Sequence, residues 1–227
     1  MKLSVALDLS TKIENLQLVK KLSTYPIWFK VGLRSYIRDG KGLLEEIKQI
    51  NPDAKIFLDL KLYDIPNTMA DAAESIADLG VDMFNIHASA GVAAMSEVMG
   101  RLNSRESRPL VLAVTALTSF DQDGFYSIYH TDIQTKAKQF AKDAHLAGLD
   151  GVVCSAYESI LIKESTSKSF ITLTPGIRLD GKDSGDQKRV ATPDMAKDAL
   201  VDFIVVGRPI YNSHSPSAVV EQILQSL

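Results

Sequence analysis

At 227 residues the chain suits one large domain better than two, and with 45% hydrophobic and 23% charged residues it can bury a full core. The formal net charge of −3 gives no general attraction to nucleic acid or to an anionic membrane, so any phosphate binding has to come from a local site. A single cysteine, Cys154, excludes an intrachain disulfide and fits a reducing cytosol; within Gly151-Val-Val-Cys-Ser155 it reads as a packed strand residue rather than a nucleophile.

The first residues, Met1-Lys-Leu-Ser-Val-Ala-Leu-Asp8, are already strand-like and carry no secretory core or cleavage site. No apolar run reaches the ~18 residues needed to span a bilayer. The expectation is a cytoplasmic protein without membrane or nucleic-acid partners. Strand 3–8 is followed by helical periodicity over 13–22, strand 27–31 by a helix over 33–50, and strand 55–61 by a helix from about Asn67 to Leu79. Then come strand 82–88 with helix 93–102, strand 110–115 with a loop and a helix over 133–147, and strand 151–155 with helix 157–163. Strand 170–174 leads through a long polar segment to a short helix near 192–199, and strand 203–206 leads to the last helix, 216–227.

Eight successive β/α units imply a parallel sheet. They predict an α/β fold of a single domain over 1–227, a (β/α)8 TIM barrel. A doubly wound open sheet is the competing reading. Against a dinucleotide fold, no Gly-x-Gly-x-x-Gly follows the first strand. The polar segment 175–193, with Gly176, Gly181 and Gly185, follows a strand end and reads as a closing loop over a ligand; a plain surface excursion is the alternative.

Barrel chemistry collects at the C-terminal strand ends, where Asp8, Lys30, Asp59, Lys61, Asp64, His87, Thr115, Thr118, Arg178 and Arg208 fall. Alternation puts Phe57, Asp59 and Lys61 on one face of the third strand and Leu58 and Leu60 on the other. The leucines suit the helices, so Asp59 and Lys61 face the interior near the mouth, where Lys30 supplies a second cation. Two lysines and two aspartates there would form an alternating network. A buried salt-bridge cluster that fixes strand register is the scaffold alternative, and Asp64, just before Pro66, could instead help cap the third helix. Val205-Val-Gly-Arg-Pro-Ile210 and Thr174-Pro-Gly-Ile-Arg178 end the last two strands, the usual place for a phosphate in such a barrel, with Gly207 allowing close backbone approach and Arg208 a bidentate grip. No His/Cys group has metal-ligand spacing, and His87 reads as a strand-end hydrogen-bonding residue.

Asp59-x-Lys61-x-x-Asp64-Ile-Pro-Asn-Thr68 resembles the hallmark of the orotidine 5′-monophosphate decarboxylases. Its Asp-x-Lys-x-x-Asp core is shared with related Mg2+-dependent sugar-phosphate barrels, whereas the Ile-Pro-Asn-Thr continuation is particular to the nucleotide decarboxylases. Ala6-Leu-Asp8, Phe29-Lys-Val-Gly32, Thr115-Ala-Leu-Thr-Ser119, Thr174-Pro-Gly-Ile-Arg178 and Val206-Gly-Arg-Pro-Ile210 match in order, so the resemblance spans essentially the whole chain. It implies decarboxylation of orotidine 5′-monophosphate (OMP) to UMP in pyrimidine biosynthesis, with no cofactor and no metal. It implies Lys61 as proton donor to pyrimidine C6, Asp59 beside the departing carboxylate, and Lys30 on the ribose and on Asp59. Asp64 and Thr68 would enter the site of the other subunit of a homodimer. Asp8 would bind the ribose and Thr118 the pyrimidine; Gln187, Gly207 and Arg208 would hold the phosphate, and Arg178 would serve the closing loop.

Overall fold

The strands are short, rich in β-branched and aliphatic residues, and separated by capped helices, and this pattern folds as a closed ring. In the computed structural model, which describes residues 1–179 and 188–227, the described strands are β1 (Lys2–Ala6), β2 (Trp28–Gly32), β3 (Lys55–Leu62), β4 (Met83–His87), β5 (Leu110–Val114), β6 (Gly151–Val153), β7 (Ile171–Thr174) and β8 (Phe203–Val206). Each pairs in parallel with its sequence neighbour and β8 returns to β1, so the sheet closes as a barrel and the open-sheet alternative falls away. The surrounding helices are α1 (Lys12–Leu22), α2 (Leu33–Ile50), α3 (Pro66–Asp78), α4 (Gly91–Leu102), α5 (Gln122–Tyr129), α6 (Ile133–Leu146), α7 (Ala156–Ser165), α8 (Pro193–Asp198), α9 (Arg208–Tyr211) and α10 (Pro216–Ser226).

Strand alternation sorts the core into two layers. Outward residues such as Val5, Phe29, Leu58 and Phe84 pack with Leu43, Ile47, Ala73 and Val98 of the helices. Inward residues Ala6, Phe57, Met83, Leu112, Leu173 and Phe203 fill the barrel itself. This apolar plug ends abruptly: two positions further along, the inward places on the first four strands are Asp8, Lys30, Asp59 and Asn85. The site is thus built on a buried apolar floor.

The opposite end of the barrel carries a repeated clasp. Asp82, Asp150 and Asp202 stand just before β4, β6 and β8. Their carboxylates accept the N–H groups of Ile56, Val111 and Thr172 on the preceding strands, at 2.7–2.9 Å. The same three aspartates donate their own N–H groups back to the carbonyls of those residues. Each carboxylate also meets a cation: Lys55 for Asp82, Arg108 for Asp150 and Lys163 for Asp202. Two residues before each aspartate the chain turns through the left-handed region, at Gly80, Gly148 and Leu200. These residues end α3, α6 and α8 by donating to the carbonyls of Ala77, His145 and Lys197, and after α6 and α8 the bonds from Leu149 to Ala144 and from Val201 to Ala196 complete a Schellman termination.

Three local expectations change. The stretch between β5 and α6, read as a loop, contains α5, which Asp121 caps by accepting the Gly124 N–H at 2.8 Å; eight residues interrupted by a glycine leave too little periodicity to see. The helix over 33–50 is bent where Gly40 takes φ 60° and ψ −158°. The turn after β8 closes as the short helix α9.

Candidate active site

The site grows from an irregularity in β3. Leu58 pairs with Phe84 and Leu62 with Ile86, so residues 59–61 stand opposite Asn85 alone. The extra length is absorbed at Lys61, whose φ of 55° lies in the left-handed region that a side chain disfavours. Asn85 holds the bulge from β4. Its Oδ1 accepts the Lys61 N–H at 2.8 Å, and its Nδ2 donates to Asp59 Oδ1 at 2.8 Å. Alternation alone places Asp59 and Lys61 on the inner face; the bulge and Asn85 bring the lysine back over the aspartate.

Four charges then line up across three strands. Lys61 Nζ lies 2.5 Å from Asp59 Oδ1, Lys30 Nζ lies 3.3 Å from Asp59 Oδ2, and Lys30 Nζ lies 3.4 Å from Asp8 Oδ2. Burial works against the Asp59 carboxylate, but Lys30, Lys61 and the Asn85 amide outweigh it and hold its pKa down at about 2. Burial also works against the Lys30 ammonium, yet Asp59 and Asp8 raise its pKa above the ordinary lysine value. Two lysines and two aspartates thus alternate within this chain, but the second aspartate in the row is Asp8, and Asp64 takes no part in it. Gly32 makes room for it: a Cβ there would lie 2.8 Å from Lys30 Nζ and 3.1 Å from Asp8 Oδ1.

This row forms one wall of a cavity of about 470 Å³ at the C-terminal mouth. Thr118 lies on the wall formed by the β5 loop, Arg178 on that of the β7 loop, and Gly207 and Arg208 at the end of β8. Gly207 is closely packed, since a Cβ would come within 3.2 Å of the Tyr211 ring and 3.3 Å of the Ala6 Cβ. Among the described residues five cationic side chains, Lys30, Arg34, Lys61, Arg178 and Arg208, line the cavity with two carboxylates, Asp8 and Asp59. An acidic chain has thus concentrated positive charge in one place, which suits a multiply charged anion.

Eight of the expected site residues share this cavity: Asp8, Lys30, Asp59, Lys61, Thr118, Arg178, Gly207 and Arg208. Asp64 and Thr68 do not line it; both are exposed, on the β3–α3 connection and in the first turn of α3. Asp64 does not cap α3 through its side chain in the usual way: the N-cap is Ile65, and Asp64 Oδ1 accepts only the adjacent Ile65 N–H. Gln187 and residues 180–187 of the expected 175–193 loop lie outside the described residues. Thr115 is committed to the Val153 carbonyl, and His87 accepts the Ser89 N–H through Nδ1. Burial, and then the Lys61 charge, keep the His87 pKa below the ordinary histidine value. Cys154 is buried and its thiol pKa is pushed up by that burial, in keeping with a packing role. Among the described residues no group of His, Cys, Asp and Glu is arranged to hold a metal ion. The sequence reading missed Asn85, Arg34 and Tyr211. Asn85 had a signal, a polar side chain at an inward position between Met83 and His87; Arg34 and Tyr211 had none.

The model of the orotidine 5′-phosphate decarboxylase / HUMPS family matches residues 1–223. Orotidine 5′-phosphate decarboxylases from Sulfurimonas denitrificans and Nitratiruptor sp. are 67% and 66% identical over 227 residues, covering 100% of each chain. The crystal structure of orotidine 5′-phosphate decarboxylase from Lactobacillus acidophilus is similar with a TM-score of 0.85 at 33% identity, covering 99% of this chain and 98% of that one.

Proposed function

The chain belongs to the orotidine 5′-phosphate decarboxylase / HUMPS family, and from that premise we propose how its residues carry out its reaction, the carboxy-lyase conversion of OMP to UMP and CO2 in pyrimidine biosynthesis. Loss of CO2 from C6 leaves an electron pair on a ring carbon with no carbonyl placed to delocalise it as an ordinary enolate. The site must therefore stabilise a localised negative charge and then protonate it. Lys61 does both: its ammonium attracts the developing charge and delivers a proton to C6, and the lysine regains its proton from solvent.

Asp59 supplies the opposing field. With a pKa of about 2 it is a carboxylate at every working pH. Beside it, the substrate carboxylate meets like charge that is relieved as CO2 departs. The contribution is best stated as differential binding, because only contacts stronger in the transition state raise the rate. Lys30 holds Asp59 and reaches the ribose with Asp8. Thr118 meets the pyrimidine. Gly207, Arg208 and Gln187 hold the phosphate, and Arg178 serves the 175–193 connection as it closes. Phosphate contacts far from C6 then contribute to catalysis by excluding water. The scheme uses no metal: Lys61 supplies both the charge stabilisation and the proton.

The catalytic unit is a homodimer in which Asp64 and Thr68 complete the partner's site. Their exposure supports this, as does the exposure of Tyr63 and Ile65 beside them and of Leu33 and Ile37 in the first turns of α2. Among the described residues no helix is long and apolar enough to cross a membrane, and the enzyme works in the cytoplasm without nucleic-acid partners.

One observation carries the mechanism: the Asp8–Lys30–Asp59–Lys61 row facing a cation-rich cavity. Lys61→Ala is expected to keep the fold and to lower OMP turnover, followed by ultraviolet absorbance, by roughly 10³–10⁴-fold. Turnover near the wild-type rate would remove Lys61 from the proton-donor role.

A further inference from the structure

Arg189 takes no part in the scheme above, yet it is among the most heavily bonded side chains near the cavity. It follows the 180–187 stretch and points inward, with a side chain 12% exposed. One guanidinium nitrogen pairs with Glu158, a carboxylate only 2% exposed whose second oxygen caps α7 by accepting the Ser155 N–H at 2.7 Å. The other terminal nitrogen donates to the carbonyls of Ala116 at 3.1 Å and Leu117 at 3.3 Å. The backbone adds to this: the N–H groups of Lys188 and Arg189 both donate to the Thr118 carbonyl, at 3.0 and 3.1 Å. Two residues later Ala191 exchanges hydrogen bonds with the other wall, accepting the Arg178 N–H and donating to the Gly176 carbonyl. Residues 116–118 after β5 and Gly176 and Arg178 after β7 line the cavity, and the segment 188–191 is bonded to both stretches.

We propose that Arg189, buttressed by Glu158, is a positioning residue that makes the Ala116–Thr118 wall and the Gly176–Arg178 wall move as one body, so that seating the pyrimidine and engaging the β7 loop are coupled. The inference rests on the roles given above to Thr118 and Arg178. The residue type fits the task. A planar guanidinium can satisfy a carboxylate and two carbonyls at once, whereas a lysine ammonium would meet the carboxylate from a single point. Burying Glu158 demands a charged partner, but any cation would meet that demand; the two carbonyl contacts are what demand arginine.

Two measurements on the full-length enzyme test this. Arg189→Lys keeps a charge opposite Glu158, and Glu158→Gln combined with Arg189→Met removes both charges together, so that one of the two folds even if the other does not. The first measurement is amide hydrogen exchange without ligand. Exchange at 116–119 and 188–191 is expected to accelerate together by about tenfold or more, while β3 stays unchanged. The second is a double-mutant cycle between Thr118→Val and Arg178→Ala, read as kcat/KM for OMP. In the wild-type background the combined loss should differ from the product of the single losses by about fivefold or more, and in Arg189→Lys the losses should multiply within about twofold. Rescue by Arg189→Lys, with wild-type exchange and an undiminished interaction, would overturn the proposal and leave Arg189 as a charge partner alone. If neither single change affects turnover, the roles of Thr118 and Arg178 fall, and the exchange result alone decides the coupling.

Discussion

Lys61 occupies a backbone conformation that costs a non-glycine residue about 1–2 kcal/mol, and Asn85 holds it there while also orienting Asp59. Asn85→Ala should therefore damage the chemistry more than the fold. A drop in kcat of roughly 100-fold is expected from a displacement of about 1 Å, with binding of UMP by calorimetry little changed; an unaltered kcat would show that the bulge needs no support from β4. Gly32→Ala probes the same row from below, since the new methyl group would displace Lys30 Nζ or Asp8. A loss of about tenfold or more in kcat/KM is expected, and wild-type kinetics would mean the row tolerates the shift. The depressed Asp59 pKa also has a definite sign. Its stabilising contribution is complete above the unfolded value near ~3.9 and is lost as pH falls through about 2. Asp59 thus stays ionised while the substrate phosphate titrates near ~6, so an acid limb in kcat/KM should follow the phosphate; a midpoint near ~4 would contradict it. At this scale Asp59, Lys61 and Lys30 were legible because charges at inward strand positions have few explanations. Asn85 was passed over because one amide in an apolar strand has many.

The elements were legible where periodicity was long or the strand continuous, and the barrel followed from their alternation. What escaped was set by single residues: the bend at Gly40, the brief α5 with its internal glycine, and the bulge in β3. The clasps of Asp82, Asp150 and Asp202 escaped for a different reason. An aspartate ahead of a strand reads as ordinary turn chemistry until its backbone partners are known. These clasps tie the odd strands to the even ones at the end away from the cavity, which lets the loops at the other end vary with function. They also expose one weak point. Gly80 and Gly148 supply the left-handed turn in two clasps, but Leu200 supplies it in the third and is largely exposed. Leu200→Gly should raise stability by about 0.5–1 kcal/mol, a shift of roughly 1–4 °C in the thermal midpoint. Activity should be unaffected, and a lowered midpoint would mean that the Leu200 side chain contributes more packing than its exposure suggests.

For the molecule as a whole, charge separation is the organising feature: a chain of net charge −3 holds a cavity that, among the described residues, is lined by five cationic side chains and two carboxylates. The sequence pointed to Lys30, Lys61, Arg178 and Arg208 one by one, but not to Arg34, nor to the single volume around which the barrel gathers them. It also suggested a shared site; in the single chain Asp64 and Thr68 stand exposed, outside the cavity. Mixing inactive Asp64→Asn and Lys61→Ala subunits should restore part of the activity, because one site in each hybrid dimer would be intact; no recovery would count against the shared site. The claim on which the account depends is that Lys61, held by Asp59, performs the decarboxylation without a metal. It is tested most directly by following the loss of OMP absorbance with purified enzyme in EDTA. Full turnover in EDTA is the expected result, and turnover that vanishes there and returns only with added Mg2+ would contradict it.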